Sequence, residues 1–273
     1  MEGTLIESPT PSVADQMAKP AAEPPRGLEA FRRKAYNAAM AAMKPFADIV
    51  ARTSRVATTP VLPLHQFPWA RRLEDNWLDI RRELEGVLEF RADLPAFHEI
   101  NADATTIRDD KWKSFWFYGF GRRAEDNCRR CPRTAALISA VPGMTTALFS
   151  ILGPGVHIPR HRGAWKGFVR YHLGLIVPEP AERCGIMVGG QEAHWREGEG
   201  LTFDDTYEHH VWNDTDGMRV VLFLDVVRPC RFPGSLVNQA VIKIAGLTPF
   251  VQDSMRRHRA WERRFTEAHG RRG

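Results

Sequence analysis

The sequence predicts a mainly β protein, a sandwich or barrel of short strands with helices at both ends. Three observations predict it. From about residue 112 onward, short segments rich in β-branched and aromatic residues are separated by Gly, Pro, Asn and Asp. Two of those segments, 167–177 and 218–227, are apolar on one face and carry an arginine on the other. Helical periodicity, by contrast, is confined to 27–50, 69–88, 131–140 and 247–268.

Length and composition set the frame. The chain has 273 residues, 43% of them hydrophobic, which suffices for one domain of about 180–200 residues with extensions. No apolar run reaches the ~20 residues that would cross a bilayer. The opening MEGTLIESPTPSVADQ has no basic stretch followed by an apolar one, so no secretory signal is expected and a cytoplasmic protein is. The net charge of +5, from 38 basic and 33 acidic residues, does not suggest a nucleic-acid partner. The pairs Arg122–Arg123, Arg129–Arg130 and Arg256–Arg257 read as solvated surface; an anionic lipid or acidic substrate is the alternative. Cys128 and Cys131 form a lone CxxC with no second pair. They read as ordinary thiols of a reducing compartment, with a redox or metal pair as the other option.

The elements follow in order. Residues 1–26 are rich in Pro, Ala and Ser and are expected to be disordered. An N-terminal helix and linker are expected over 27–60. In the helix, 27–50, Leu28, Phe31, Ala35, Ala39, Ala42 and Phe46 recur at helical spacing beside Arg32, Arg33 and Lys34. It packs on the main domain or, as a basic amphipathic helix, makes peripheral contact with a membrane. Residues 51–66, with Pro60 and Pro63, read as a linker. The main domain is expected over 61–240. Its first helix presents Trp69, Leu73, Trp77, Ile80, Leu84 and Leu88 on one face. The strand segments are WKSFWFYGF, ALFSIL, GFVRYHLGLIV, CGIMVGG, EAHW, GLTFDD, HHVWND and RVVLFLDVV, with a helix near 131–140 between the first two. A helical extension over 241–273, with a polar helix at 247–268, closes the chain.

Chemistry concentrates in two strands. Residues two apart in a strand share a face. In 167–177, Val169, Tyr171, Leu173, Leu175 and Val177 form an apolar face, and Phe168, Arg170, His172, Gly174 and Ile176 the other. A guanidinium and an imidazole in so apolar a strand are costly unless paired, and a bound carboxylate would satisfy both. In 218–227, Arg219 shares a face with Val221, Phe223 and Asp225; it is a surface rim residue or a buried anion clamp. His157 and His161 precede the first strand, and His209 and His210 the second. Such positions converge on one mouth in a small barrel, and neutral imidazoles with open positions suit Fe(II).

The segments SILGPGVHIPRHRG (150–163), RYHLGL (170–175), GEGLTFDDTYEHHVWND (198–214) and RVVLFLDV (219–226) resemble, in order and spacing, the aspartyl/asparaginyl β-hydroxylase family of Fe(II)/2-oxoglutarate dioxygenases. FPWARRLEDNW and WKSFWFYGFGRR resemble its openings more loosely. The resemblance implies a double-stranded β-helix, the jelly-roll or cupin-like barrel, with flanking helices. It implies Fe(II) on His161 and His209, and the distal carboxylate of 2-oxoglutarate on Ser150 and Arg219. Arg170 and His172 would lie near the iron-side carboxylate. O₂ would be consumed, succinate and CO₂ released, and an unactivated C–H hydroxylated in a lipid acyl chain, a peptidyl Asp or Asn, or a small metabolite. His157 orders the site or is a turn residue, and His210 alternates away from it.

Two positions depart from the family pattern. Gly163 stands where many relatives of the wider class carry a third, carboxylate ligand. The aspartyl hydroxylases lack it too and use water; a halide is the other occupant such a gap admits. Phe168 stands where peptidyl hydroxylases place an arginine for the substrate carboxylate, and an aromatic ring cannot make that ion pair. Two further readings are a non-catalytic or regulatory cupin-like binding protein, and a cupin metalloenzyme without 2-oxoglutarate. Arg219 speaks against the second, since without a dicarboxylate nothing obvious offsets its charge.

Overall fold

The computed structural model describes residues 41–100 and 110–270. The expected disordered segment 1–26 and the first part of the expected helix 27–50 lie outside the described residues. The rest of that helix is α1, residues 41–53. The expected linker is partly built into the fold. β1 (Val61–Leu62) adds an edge strand to a sheet, and Ser54 forms a β-bridge with Cys230. Two residues between prolines are too short to show a period.

The helix expected over 69–88 is two helices, α2 (Ala70–Glu74) and α3 (Trp77–Leu88). α3 buries Ile80, Leu84 and Val87, the i, i+4, i+7 stripe of an amphipathic helix. α4 (Phe97–Ile100), β2 (Trp112–Gly119), β3 (Arg122–Arg123), α5 (Glu125–Arg130) and α6 (Pro132–Ser139) follow. Proline at the first position of α6 suits a helix start. Cys128 and Cys131 are buried and unlinked, and burial raises both thiols, Cys128 to about 11.

Eight strands then build the barrel: β4 (Met144–Leu152), β5 (His157–His161), β6 (Phe168–Ile176), β7 (Cys184–Val188), β8 (Gln191–His194), β9 (Gly200–Phe203), β10 (His209–Asn213) and β11 (Arg219–Val227). One sheet has the order β1-β9-β6-β11-β4-β2-β3, the other β5-β10-β7-β8. The antiparallel pairs β4·β11, β5·β10, β6·β9 and β7·β8 are nested. The chain runs out through β4–β7 and returns through β8–β11, as one long ribbon folded across two sheets. That is a double-stranded β-helix, or jelly roll.

The large sheet has two covered faces. Helices α3 and α6 pack outside it, where Trp69 meets Tyr171 edge to face at 5.1 Å. The small sheet faces it inside. Burial on both sides explains why β6 and β11 read as almost unbroken apolar runs. The C-terminal extension is α7 (Gly234–Gly246) and α8 (Pro249–His269), so α7 runs across the expected boundary at 240. α8 is polar in composition yet buries Val251, Met255, Trp261 and Phe265. Among the described residues no helix is long and apolar enough to cross a membrane.

Candidate active site

Register brings the two candidate metal ligands together. His161 ends β5, His209 begins β10, and the antiparallel pairing sets them opposite each other. Their ring centroids are 4.0 Å apart. Each ring is anchored to the carbonyl two residues before it: His161 Nδ1 lies 2.8 Å from Pro159 O, and His209 Nδ1 lies 2.9 Å from Tyr207 O. A carbonyl only accepts, so Nδ1 carries the hydrogen and Nε2 the lone pair in both rings. Both imidazoles are held neutral. Desolvation by burial, then the neighbouring His161, pushes His209 down to about 3. Desolvation also lowers His161, although it sits at the exposed rim. Two neutral, oriented imidazoles are a donor set that fits a first-row divalent ion such as Fe(II).

Among the described residues, no group of three or more His, Cys, Asp or Glu side chains is arranged to hold a metal. Gly163 shows what fills the neighbouring space. A Cβ there would overlap the Asp205 carboxylate, and the Gly163 amide donates to Asp205 O at 2.7 Å. The absent side chain thus makes room for the Asp205 carboxylate, which reaches Arg170 at 3.0 Å. Gly163→Ala is expected to push Asp205 off Arg170 and to lower stability by roughly 1–3 kcal/mol, as overpacking does. Gly163→Asp is expected to weaken iron binding instead of supplying a third ligand. Thermal melts and iron titration of the two variants check both outcomes.

Arg170 corrects one expectation. With His172 it was to await a bound carboxylate, but the protein supplies two. Arg170 and Asp225 are direct partners across β6 and β11, joined by Nε–Oδ1 at 2.9 Å and Nη2–Oδ2 at 3.2 Å, and Asp205 adds a third contact. The guanidinium is therefore a fixed part of the wall, stacked 4.4 Å from the Phe223 ring centroid.

Deeper in the barrel the polar groups are not satisfied. His172 is buried among Phe203, Phe223 and Trp195, at centroid distances of 5.0, 5.1 and 6.0 Å. Neither of its ring nitrogens has a hydrogen-bond partner, and burial, then Arg219, lowers its pKa well below the usual value. Arg219 is 1% exposed and lies 4.5 Å above the Trp195 ring. Its Nη1 donates to Ser150 O and Oγ at 3.4 and 3.5 Å, while its Nε and the Trp195 Nε1 are unpartnered. No carboxylate of the described residues pairs with it, and burial pushes its pKa down to about 10. Ser150 Oγ accepts from Trp112 Nε1 at 3.1 Å, which leaves its own hydrogen to donate. Arg219 is thus buried and not a rim residue. Orphaned donors on Arg219, His172 and Trp195, around an uncompensated positive charge, match an anion.

Several site residues were not legible one by one. Asp205 and Asp225 frame Arg170, and Trp195 lies against both His172 and Arg219. Asp204 is fully buried with Arg228, and Lys166 Nζ lies 2.6 Å from its carboxylate. That cluster ties down the turn leading into His209, where Thr206 N donates to Asp204 Oδ1 at 3.1 Å. His157 meets Asp214 at 2.7 Å, with both side chains exposed, and does not join the site. His210 alternates away, towards Trp212.

A family model described as aspartyl/asparaginyl β-hydroxylase matches residues 74–229. An ornithine lipid ester-linked acyl 2-hydroxylase of Rhizobium tropici is 46% identical over 213 residues, covering 78% of this chain and 76% of that protein. Human aspartyl/asparaginyl β-hydroxylase is 33% identical over 164 residues, 58% of this chain but 21% of that one. Among solved structures, a Cupin_2 domain of an Enterobacter cloacae transcriptional regulator aligns over 31% of this chain and 82% of that one at 15% identity, with a TM-score of 0.26, too partial a likeness to add to the strand order. The matched span runs from α2 through every barrel strand, and the chain belongs to the aspartyl/asparaginyl β-hydroxylase family.

Proposed function

We propose that the protein is an Fe(II)- and 2-oxoglutarate-dependent dioxygenase that hydroxylates an unactivated C–H of a lipid acyl chain. The observation that carries the reading is the cluster of unpartnered nitrogens deep in the barrel. Arg219, His172 and Trp195 offer unpartnered nitrogens there, and Arg219 has no carboxylate of its own. A dicarboxylate that reaches from the histidine pair to Arg219 answers both facts.

The residues then divide the work. His161 and His209 hold the metal through Nε2. Arg219 and the Ser150 hydroxyl grip the far carboxylate of 2-oxoglutarate, and His172 contacts it along the way. Asp225 and Asp205 keep the Arg170 guanidinium in one orientation beside the metal position. Phe203, Phe223 and Trp195 exclude water, which strengthens each charged contact. When bound, Fe(II) with 2-oxoglutarate and O₂ supplies the oxidising chemistry, in which 2-oxoglutarate leaves as succinate and CO₂ while the substrate gains one oxygen.

The lipid assignment rests on the Rhizobium tropici relative, similar over most of both chains, and on Phe168. Phe168 shares the interior face of β6 with Arg170, so it offers an apolar contact where a carboxylate-bearing peptide would need a cation. Purified protein given Fe(II), 2-oxoglutarate, O₂ and acyl lipid is expected to release succinate and a lipid with one added oxygen. Absence of succinate, with and without lipid, overturns the reading. His161→Ala and His209→Ala are each expected to abolish iron binding in equilibrium dialysis. Retention of iron by both variants would refute the ligand assignment.

A further inference from the structure

The four most exposed large apolar side chains of the described residues lie in one stretch. They are Phe232, 79% exposed, Leu236, 61%, Ile244, 66%, and Leu247, 79%. Leu236, Ala240, Ile244 and Leu247 recur at i, i+4, i+8 and i+11, so they form a stripe along the outer face of α7. The opposite face is anchored. Gly234 packs on Thr53 at the end of α1, and Asn238 is buried.

The anchor ties α7 to the segment that follows His161. Asn238 Nδ2 donates to Gly167 O at 2.9 Å, and Trp165 Nε1 donates to Asn238 Oδ1 at 2.8 Å. Residues 162–167 are the segment between His161 and the Arg170 strand. The anchored face of α7 is therefore joined to that segment through one side chain, with the apolar stripe on the outer side.

Four exposed cations lie on or beside α7. Lys243 is exposed on the same face of α7, Arg231 is exposed beside Phe232, and Arg52 and Arg55 are exposed at the end of α1. Arg55 N and Arg231 N are both bonded across the α1 junction, to Pro229 O and Thr53 O at 2.8 Å, so these cations share one neighbourhood. Among the described residues no carboxylate forms an ion pair with any of the four. An apolar helical stripe flanked by unpaired cations complements an anionic lipid bilayer: the side chains enter the acyl boundary and the cations meet the headgroups.

We propose that the outer face of α7, with Phe232, docks the protein on an anionic phospholipid bilayer. The proposal rests on the lipid-hydroxylase reading only for what docking delivers, since binding to vesicles needs neither metal nor turnover. Full-length protein is sedimented with vesicles of phosphatidylcholine, alone or mixed with phosphatidylglycerol. It is expected to bind the mixed vesicles and to release in high salt. Leu236→Glu with Ile244→Glu and Leu247→Glu is expected to lower partitioning by about ten-fold or more. Arg231→Glu with Lys243→Glu is expected to weaken binding to the anionic vesicles. All substituted side chains are exposed, so melting temperatures should be close to wild type. Failure of wild type to bind, or equal binding by the apolar variant, overturns the proposal. So does a dimer of the wild-type chain that the apolar variant converts to monomer, because a second copy would then be the occupant. Docking without succinate release would leave the surface standing and remove the dioxygenase reading.

Discussion

Arg219→Met is expected to raise the melting temperature of the ligand-free protein and to remove its response to 2-oxoglutarate. The two effects have one cause. Arg219 is a guanidinium with 1% exposure, no paired carboxylate and an unpartnered Nε. Its nearest compensation is the Trp195 ring at 4.5 Å and the Ser150 oxygens at 3.4–3.5 Å. A cation–π contact contributes roughly 0.5–2 kcal/mol, less than the cost of desolvating an ion. Replacing buried ionic groups by apolar ones of similar volume is neutral or stabilising by about 1–4 kcal/mol, and methionine follows the arginine stem. With a bound dicarboxylate the sign reverses. Truncating one partner of a buried charge pair costs about 2–5 kcal/mol, so half-maximal succinate release should need at least about 30-fold more 2-oxoglutarate. Arg219→Lys keeps the charge and loses the fork, and should fall between. Melting curves with and without 2-oxoglutarate test the pair of claims. A variant less stable than wild type without ligand, and equally responsive to it, would mean that Arg219 is a structural core residue.

How much of this was legible in the sequence varies from element to element. β6 and β11 were legible because they are long and buried on both faces; for β11 the expected apolar segment and the strand share the limits 219–227. β5 was not. HIPRH is short, mostly exposed and interrupted by Pro159, and it is a strand only because β10 lies beside it. That is why His161 was visible as a residue while its partnership with His209 depended on resemblance. α7 was split at the expected boundary of 240 because its outward apolar residues do not follow the inside–outside rule that periodicity reads. In the site, parity marked Arg170, His172 and Arg219 as residues needing partners, but it could not say which were already paired. The signal for Arg170 was available: Asp225 lies on the interior face of the neighbouring strand, and antiparallel register sets the two opposite. Asp204 and Asp205 belong to a turn, where no period applies.

Arg228→Met is expected to destabilise the protein strongly and to loosen iron binding through a residue that touches no ligand. Arg228 and Asp204 are both fully buried, and Arg228 also donates from Nε to Lys166 O at 2.8 Å and from Nη1 to Ala57 O at 2.9 Å. Removing one member of a buried pair costs about 3–5 kcal/mol, because the other charge stays behind. Lys166 Nζ, 2.6 Å from Asp204, offsets part of that, so about 3 kcal/mol is the better figure, or on the order of 10 °C in melting temperature. The consequence for the site runs through the chain. Asp204 holds the turn by accepting from Thr206, and the turn presents Tyr207 O, which orients the His209 ring at 2.9 Å. Residues that orient metal ligands typically contribute about 10–100-fold in metal affinity. Adding Asp204→Asn to Arg228→Met separates the two roles. The double variant no longer buries a carboxylate beside a missing cation, so it should recover part of the lost stability. The turn has lost Arg228 in both, so iron affinity should remain low. Recovery of iron affinity in step with melting temperature would mean that the cluster only holds the fold together and leaves the orientation of His209 to β10.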